Sequence, residues 1–85
     1  MAQYRVIVRK SVSKDLKGVP KKDVRRILSA IQALADDPHP PGTKKLSGQE
    51  RYRLRQGNYR ILYEIEDERL IVCVVRVGNR REVYR

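Results

Sequence analysis

The segment RYRLRQGNYRILYEI, Arg51 to Ile65, repeats arginine at alternate positions among tyrosine, leucine and isoleucine. Alternation with a period of two is typical of a β-strand that has one buried face and one exposed face. The guanidinium groups of such a strand line a single side of the sheet. Each guanidinium presents a fork of N–H donors that matches the oxygen atoms of a phosphate. The spacing therefore indicates a surface that holds a polyanion.

A turn at Gly57-Asn58 divides this segment into the two strands of a hairpin. Glycine in the first turn position suits a type II′ turn, which joins antiparallel strands through a two-residue loop. This loop predicts that Arg55 lies directly across from Arg60. By the same count Arg53 lies across from Leu62, so three arginines share one face.

Arginines that face each other across a sheet repel. Like charges in this position are destabilising, so the pairing is expected only where function requires it. The alternative is that acidic neighbours neutralise the arginines in ordinary surface ion pairs. The candidates are Glu64, Glu66 and Glu82.

A second hairpin is predicted at Asp67-Glu68, where it pairs Leu62 with Cys73 and Arg60 with Val75. This register sets an apolar floor beside the arginines, formed by Leu62, Ile71, Cys73 and Val75. The opposite face of the sheet is expected to bury a helix. Its residues are Leu54, Ile61, Tyr63, Leu70, Val72 and Val74.

The first half of the chain predicts one strand and two helices. The segment YRVIVRK alternates with a period of two, and a short helix follows, capped by Ser11 or Ser13 and ended by Gly18. Pro20 is expected to start the second helix. Its apolar stripe consists of Val24, Ile27, Leu28, Ile31, Leu34 and Ala35. Residues 36–45, rich in proline and ending in GTKK, are expected to form a loop.

Composition predicts a single domain over residues 1–85. The chain has 20 lysines and arginines against 10 acidic residues, a net charge of +10, so nucleic acid is the first partner to consider. The N-terminal segment MAQYRVIV has no signal-peptide core, and no apolar run is long enough to span a bilayer. We therefore expect a cytoplasmic protein that does not bind membranes.

Two residue types that often carry chemistry occur once each. Cys73 lies in the apolar run LIVCVV and is expected to be a small buried hydrophobe, so neither a disulfide nor a Cys/His zinc site is predicted. His39 lies between two prolines and is expected to be ordinary surface. Any enzyme activity is therefore expected to proceed without a histidine, and no metal or cofactor is predicted.

The motifs YRLR…GNYRILYEI, VCVVRVG and RREVY, in this order after a strand and two helices, resemble the RelE group of the RelE/ParE toxin superfamily. These are the toxin halves of prokaryotic toxin–antitoxin pairs, and the resemblance covers nearly the whole chain. It implies an α+β, microbial-RNase-like fold: an N-terminal strand, a helical hairpin, then a mostly antiparallel sheet of three or more strands.

The resemblance also implies an activity and partners. The activity is a ribosome-dependent endoribonuclease that cleaves mRNA in the ribosomal A site and inhibits translation. The partners are the ribosome, mRNA and an acidic, partly disordered cognate antitoxin that blocks the toxin. The toxin–antitoxin complex is expected to bind operator DNA through the antitoxin.

Site residues are carried over from the resemblance by position. The catalytic residues are Arg60, Arg80 and Tyr84, and the RNA-binding residues are Arg53, Arg55 and Arg81. Relatives have lysines at the positions of Arg53 and Arg55, and a guanidinium is a poor general base. Tyr84 is therefore a candidate base, with Glu82 as a second one.

The expected reaction needs no metal, because RNA supplies its own nucleophile. Attack by the 2′-hydroxyl gives a 2′,3′-cyclic phosphate, and the protein must position the RNA and stabilise charge. Two alternatives stay open. A ParE-like inhibitor of DNA gyrase has the same fold without a nuclease site, and a non-catalytic basic RNA-binding module needs only the charge.

Overall fold

The structure is a computed structural model and describes residues 3–46 and 51–79. Within these ranges the helices are α1 (Lys10–Asp15) and α2 (Lys21–Ala33). The strands are β1 (Arg5–Val8), β2 (Thr43–Lys45), β3 (Arg51–Gln56), β4 (Tyr59–Glu66) and β5 (Ile71–Asn79). The predicted order of a strand, two helices and a run of strands is confirmed.

The described strands form a single sheet with the spatial order β1-β5-β4-β3-β2. β1 runs parallel to β5, and the other three pairs are antiparallel. The connection through both helices carries the chain from β1 at one edge of this sheet to β2 at the opposite edge. The predicted α+β class and mostly antiparallel sheet are confirmed.

The predicted register of the first hairpin is confirmed. Arg55 lies opposite Arg60, and Arg53 lies opposite Leu62. Gly57 has φ +60°, the left-handed conformation that a type II′ turn requires at its first position. The three arginines therefore share one face, as the two-residue loop predicts.

The predicted loop of the second hairpin is wrong. Glu66 pairs with Ile71, so four residues connect β4 to β5 instead of two. Leu70, expected in the core, is an exposed turn residue with φ 54° whose N–H donates to the carbonyl of Asp67 at 3.3 Å. A leucine in the left-handed region is unusual, and alternation within the strands contains no signal for it.

The register between β4 and β5 also differs from the prediction. Tyr63 lies opposite Val74, whereas the preceding residue Leu62 lies opposite Arg76, which leaves Val75 as an extra residue. This β-bulge and the longer loop together replace the predicted pairing of Leu62 with Cys73. They also place Gly78, instead of Val75, opposite Arg60.

The main core lies between α2 and one face of the sheet. Ile27, Ile31 and Leu34 are buried, as the helical stripe predicts. They pack on the sheet residues Leu54, Ile61, Tyr63, Ile65, Val72, Val74 and Val77. Leu28 is also predicted to be a core residue, and this prediction is wrong because its side chain is 41% exposed. The buried stripe of α2 is narrower than its apolar pattern.

Helix α1 has no serine cap, and two of its side chains form hydrogen bonds with the backbone of β5. Its N-cap is Arg9, which makes no side-chain cap, so the prediction of Ser11 or Ser13 as the cap is wrong. The Ser11 hydroxyl instead donates to the carbonyl of Val75 at 2.9 Å. The Asp15 carboxylate accepts the backbone N–H of Val77 at 3.0 Å. α1 therefore supplies polar partners to β5 beyond the last residue that β1 covers.

The turn after α1 and the start of α2 follow the prediction closely. Gly18 has φ +84°, and α2 begins directly after Pro20. The proline fixes its own backbone angle and has no N–H that the first turn would leave unpaired. Residues 36–45, predicted as a loop, contain the short edge strand β2.

Tyr63 fastens β2 and the preceding loop to the core. Its hydroxyl donates to the carbonyl of Pro38 at 2.8 Å and lies 3.2 Å from the Thr43 hydroxyl. Burial raises the pKa of Tyr63, so the phenol keeps the proton that it donates. The ring stacks on Tyr52 with 5.8 Å between centroids. This anchor sets where β2 lies against β3.

Replacing Ser11 by alanine is expected to lower the free energy of unfolding by about 1 kcal/mol, the typical worth of a part-buried hydrogen bond. Ser13→Ala is the matched control, because Ser13 is an exposed residue of the same helix. Both changes raise helix propensity equally, so the difference between them isolates the bond to Val75. Chemical denaturation measures it, and equal stabilities would contradict the role of Ser11.

Candidate functional site

One face of the sheet carries a set of cationic side chains, here called the basic face. Residues opposite each other in register lie on the same face, and the core residues Leu54, Ile61 and Val77 mark the other one. The basic face is formed by Lys44, Arg53, Arg55, Arg60 and Arg76. It draws residues from β2, β3, β4 and β5.

The register arranges these residues in two rows that cross the strands. The first row runs from β2 to β5 and consists of Lys44, Arg53, Leu62 and Arg76. The second row consists of Arg55, Arg60 and Gly78. Strands in a sheet are about 4.8 Å apart, so neighbouring members of a row are close enough to contact one ligand.

An apolar floor lies among the cations. Leu62 and Val75 are 5% and 8% exposed and pack with Leu46 and Cys73. Leu62, Val75 and Cys73 are confirmed as floor residues. Ile71 lies further along the same face, opposite Glu66.

The arginine side chains themselves cover part of this floor. The Nε atoms of Arg53 and Arg60 are buried, although both residues are partly exposed. Arginine commonly lays its aliphatic stem on apolar surface and keeps the outer nitrogens in water. The inner part of both side chains is therefore packed against the protein.

The acidic neighbours engage other arginines. Glu64 accepts a hydrogen bond from Arg51 at 3.1 Å and lies 3.8 Å from Arg9. Glu66 lies 3.4 Å from Arg69 in the turn after β4. Glu66 pairs with the turn residue Arg69. Glu64 and Arg51 face each other on the same side of the sheet as the basic face, so their ion pair borders its cations.

A shallow cavity opens on the basic face at the β2 edge. Its volume is about 220 Å³, and Gly42, Lys44, Arg53 and Arg55 line it. Three cationic side chains around one cavity favour an anionic ligand. An RNA phosphate fits this description by charge and by hydrogen bonding.

Several predicted site residues lie outside the described residues. These are Arg80, Arg81 and Tyr84, together with the candidate base Glu82 and its neighbours in the segment 80–85. β5 ends at Asn79, and the adjacent Gly78 lies opposite Arg60. Of the predicted site residues, the structure brings together Arg53, Arg55 and Arg60.

Lys44 and Arg76 belong to the basic face but are not among the site residues predicted from the sequence. Lys44 lies in a three-residue strand that follows a proline-rich loop and has too short a pattern to be recognised. Arg76 has the same parity as Val72 and Val74, which predicts an inward side chain. Only the bulge at Val75 places Arg76 on the outer face.

The histidine and the possible metal ligands do not add to the basic face. His39 is exposed, and its ring contacts Tyr52, a neighbour of the main core, with 5.1 Å between centroids. Residues 3–46 and 51–79 contain no cluster of three or more His, Cys, Asp or Glu that could hold a metal ion. The helices in these ranges are too short or too polar to cross a membrane.

Known proteins share this sequence pattern and this fold. A sequence profile described as the ParE toxin of the type II toxin–antitoxin system parDE matches residues 6–84. A RelE-like toxin protein of Escherichia coli is 30% identical over 86 residues, covering 96% of this chain and 90% of that protein.

Solved structures are similar over nearly the whole chain. The archaeal RelE–RelB complex from Pyrococcus horikoshii matches with a TM-score of 0.83 at 30% identity, covering 98% of this chain and 100% of that chain. A RelB–RelE antitoxin–toxin complex from Methanococcus jannaschii matches with a TM-score of 0.72 at 30% identity, covering 92% of this chain and 94% of that chain. The chain therefore belongs to the RelE/ParE family and is a RelE-like toxin of the type II toxin–antitoxin systems.

Proposed function

We propose that this toxin is a ribosome-dependent endoribonuclease that cleaves mRNA in the ribosomal A site and thereby inhibits translation. The observation that carries the proposal is the placement of Arg55 directly opposite Arg60, with Arg53 beside them on the same face. A polyanion that binds across the two strands meets both guanidinium groups at once. Leu46 and Cys73, the half-buried members of the apolar floor, offer a surface for an unstacked base.

The reaction is a transesterification within the RNA. The 2′-oxygen attacks the adjacent phosphorus, the 2′-proton passes to a base, and the bond from phosphorus to the 5′-oxygen breaks. The leaving oxygen takes up a proton, and the other product ends in a 2′,3′-cyclic phosphate. No metal is required, because fixed cations stabilise the charge that builds up on the phosphorane.

Each arginine has a role in this step. Arg60 contacts the scissile phosphate and stabilises the phosphorane, assisted by Arg80. Arg53 and Arg55 bind flanking phosphates through forked N–H donors, and Arg81 adds a further contact. The position of Gly78 opposite Arg60, two residues before Arg80, supports a shared role for these two arginines.

The proton transfers fall to residues of the C-terminal segment. A guanidinium stays protonated at any working pH, so Arg53 and Arg55 do not act as bases. Tyr84 activates or orients the 2′-hydroxyl, and Glu82 is the second candidate for this role. An mRNA held by the ribosome already has much of its geometry fixed, so the toxin needs little further catalysis.

The partner that silences this toxin is a cognate antitoxin. The related toxins from Pyrococcus horikoshii and Methanococcus jannaschii are solved as complexes with RelB. An acidic, partly disordered antitoxin that folds on the toxin complements the charge of +10. The complex binds operator DNA through the antitoxin, and residues 1–85 act in the cytoplasm as one toxin domain.

Inhibition of DNA gyrase is the second candidate function. It is favoured by the matching sequence profile, whose description is a ParE toxin. The two functions predict different damage in cells that express the toxin without an antitoxin. A nuclease truncates mRNA within coding sequence on ribosomes, whereas a gyrase inhibitor leaves mRNA intact and alters supercoiling.

Replacing Arg60 by alanine is expected to lower the rate of mRNA cleavage on programmed ribosomes by about a hundredfold or more, the typical effect of losing one preorganised donor. Arg25→Ala is the matched control, because Arg25 is exposed on α2 and carries the same charge. Cleavage is measured by primer extension, with folding checked by circular dichroism. Cleavage at the wild-type rate in the Arg60 variant would contradict the proposed site.

Replacing Tyr84 by phenylalanine separates two roles of the ring. Phenylalanine keeps the stacking surface but lacks the hydroxyl, so a large loss of cleavage with unchanged ribosome binding is expected if Tyr84 transfers the proton. Single-turnover cleavage and ribosome co-sedimentation measure the two quantities. Near-normal cleavage would leave Tyr84 with stacking alone and move the base to Glu82.

Association with the antitoxin is expected to be steered by charge. The rate constant should fall steeply as ionic strength rises, because salt screens the attraction between a basic toxin and an acidic partner. Stopped-flow measurements at several salt concentrations test this. A rate that does not change with salt would show that the charge of the toxin plays no part in antitoxin capture.

A further inference from the structure

The β-bulge in β5 changes the face on which Arg76 lies. Val74 and Val77 are 0% and 1% exposed in the main core, although they are three positions apart. In a regular strand Arg76 would share the face of Val74 and point into that core. Val75 fills the apolar floor instead, and Arg76 becomes an exposed residue beside Leu62.

Helix α1 holds this bulge in place. β1 pairs with β5 only as far as Val8 opposite Val74, so none of the described strands lies on that side of the following residues of β5. The Ser11 hydroxyl binds the carbonyl of Val75, and the Asp15 carboxylate binds the N–H of Val77. The bulge is therefore fixed on both sides of Arg76, which is typical of bulges that aim a functional side chain.

Lys44 occupies the corresponding place at the opposite edge of the sheet. It lies opposite Arg53 and lines the cavity shared with Arg55. Its neighbour Thr43 lies within hydrogen-bond distance of the buried Tyr63 hydroxyl, which fixes the short strand. Both ends of the first row, Lys44 and Arg76, are thus cationic, exposed and held by the core.

We propose that Lys44 and Arg76 are further RNA-backbone contacts, which extend the phosphate-binding site across the sheet from β2 to β5. This inference rests on the proposed binding of RNA to the basic face. Three strand spacings separate the two residues, about 14 Å at ~4.8 Å each, enough to follow more than one internucleotide phosphate. The ligand is single-stranded RNA that crosses the strands above Leu62.

The basic face favours a single strand over a duplex. Cations at both ends of the row flank an apolar floor made of Leu46, Leu62, Cys73 and Val75. A single strand can place its backbone along the cations and turn an unstacked base towards the half-buried floor residues Leu46 and Cys73. The bases of a duplex are stacked and paired, so they cannot use it.

The test is the salt dependence of binding to a short, fully 2′-O-methylated single-stranded RNA. Log affinity falls with log salt concentration, and loss of one phosphate contact makes this slope less steep by about 0.7 for a single strand. Lys44→Gln and Arg76→Gln are each expected to make the slope less steep by this amount. Arg76→Lys, which keeps the charge, is expected to retain most of the wild-type slope.

Two control variants remove the same charge elsewhere. Lys45→Gln changes the next residue of β2, which lies opposite Tyr52 on the other face. Arg25→Gln changes the exposed side of α2. If either test variant alters the slope no more than these controls do, the assignment of that residue is overturned.

This outcome is independent of the proposed reaction, because the methylated RNA has no free 2′-hydroxyl and cannot be cleaved. If Arg60→Ala cleaves at the wild-type rate but Lys44→Gln and Arg76→Gln change the slope as expected, the extended RNA-binding site stands and the proposed catalytic site does not. If Arg60→Ala loses cleavage but neither glutamine variant changes the slope, the toxin holds RNA through the central arginines alone. Thermal denaturation of each variant verifies that the fold is intact.

Discussion

The register of the β3–β4 hairpin is the constraint on which the rest of the structure depends. Side chains alternate between the two faces of a sheet, so a slip of one residue would exchange every inward side chain for an outward one. Leu54 and Ile61 would leave the core, and Arg53 and Arg60 would enter it. The turn at Gly57 prevents this slip, because its left-handed backbone closes a loop of fixed length.

The stability of the core allows the basic face to keep its repulsive pair. Like charges directly opposite each other are destabilising, and cross-strand side-chain pairs in general are worth roughly 0.2–1 kcal/mol. Each large apolar side chain that is fully buried contributes about 1.5–3 kcal/mol, and Ile27, Ile61 and Val74 are all 0% exposed. The pairing of Arg55 with Arg60 is therefore a small loss that the other face of the same strands offsets.

The features that the sequence predicts are those with a regular period. Alternation over residues 51–65 and the glycine of the turn suffice to place Arg53, Arg55 and Arg60 on one face. The helical period identifies Ile27 and Ile31 as core for the same reason.

The features that the sequence does not predict depend on contacts between distant residues. The bulge at Val75 is held by Ser11 and Asp15, which are more than sixty positions away in the chain. A period-two pattern contains no mark of an inserted residue, so alternation alone would place Arg76 on the wrong face. Lys44 is missed because β2 is ordered by Tyr63, which comes twenty residues after Thr43.

The basic face and the outer side of α2 are two separate cationic surfaces of this toxin. The basic face holds cations above an apolar floor. The outer side of α2 carries the solvated residues Lys21, Lys22, Arg25 and Arg26. In the proposed function RNA binds to the first surface alone.

Nitrogen NMR of the arginine side chains tests this assignment most directly, because each Nε–H group reports on its own surroundings. A titration with 2′-O-methylated single-stranded RNA is predicted to shift the signals of Arg53, Arg55, Arg60 and Arg76. The signals of Arg25 and Arg26 are predicted to stay in place. Shifts at the α2 arginines equal to or larger than those on the sheet would contradict the account.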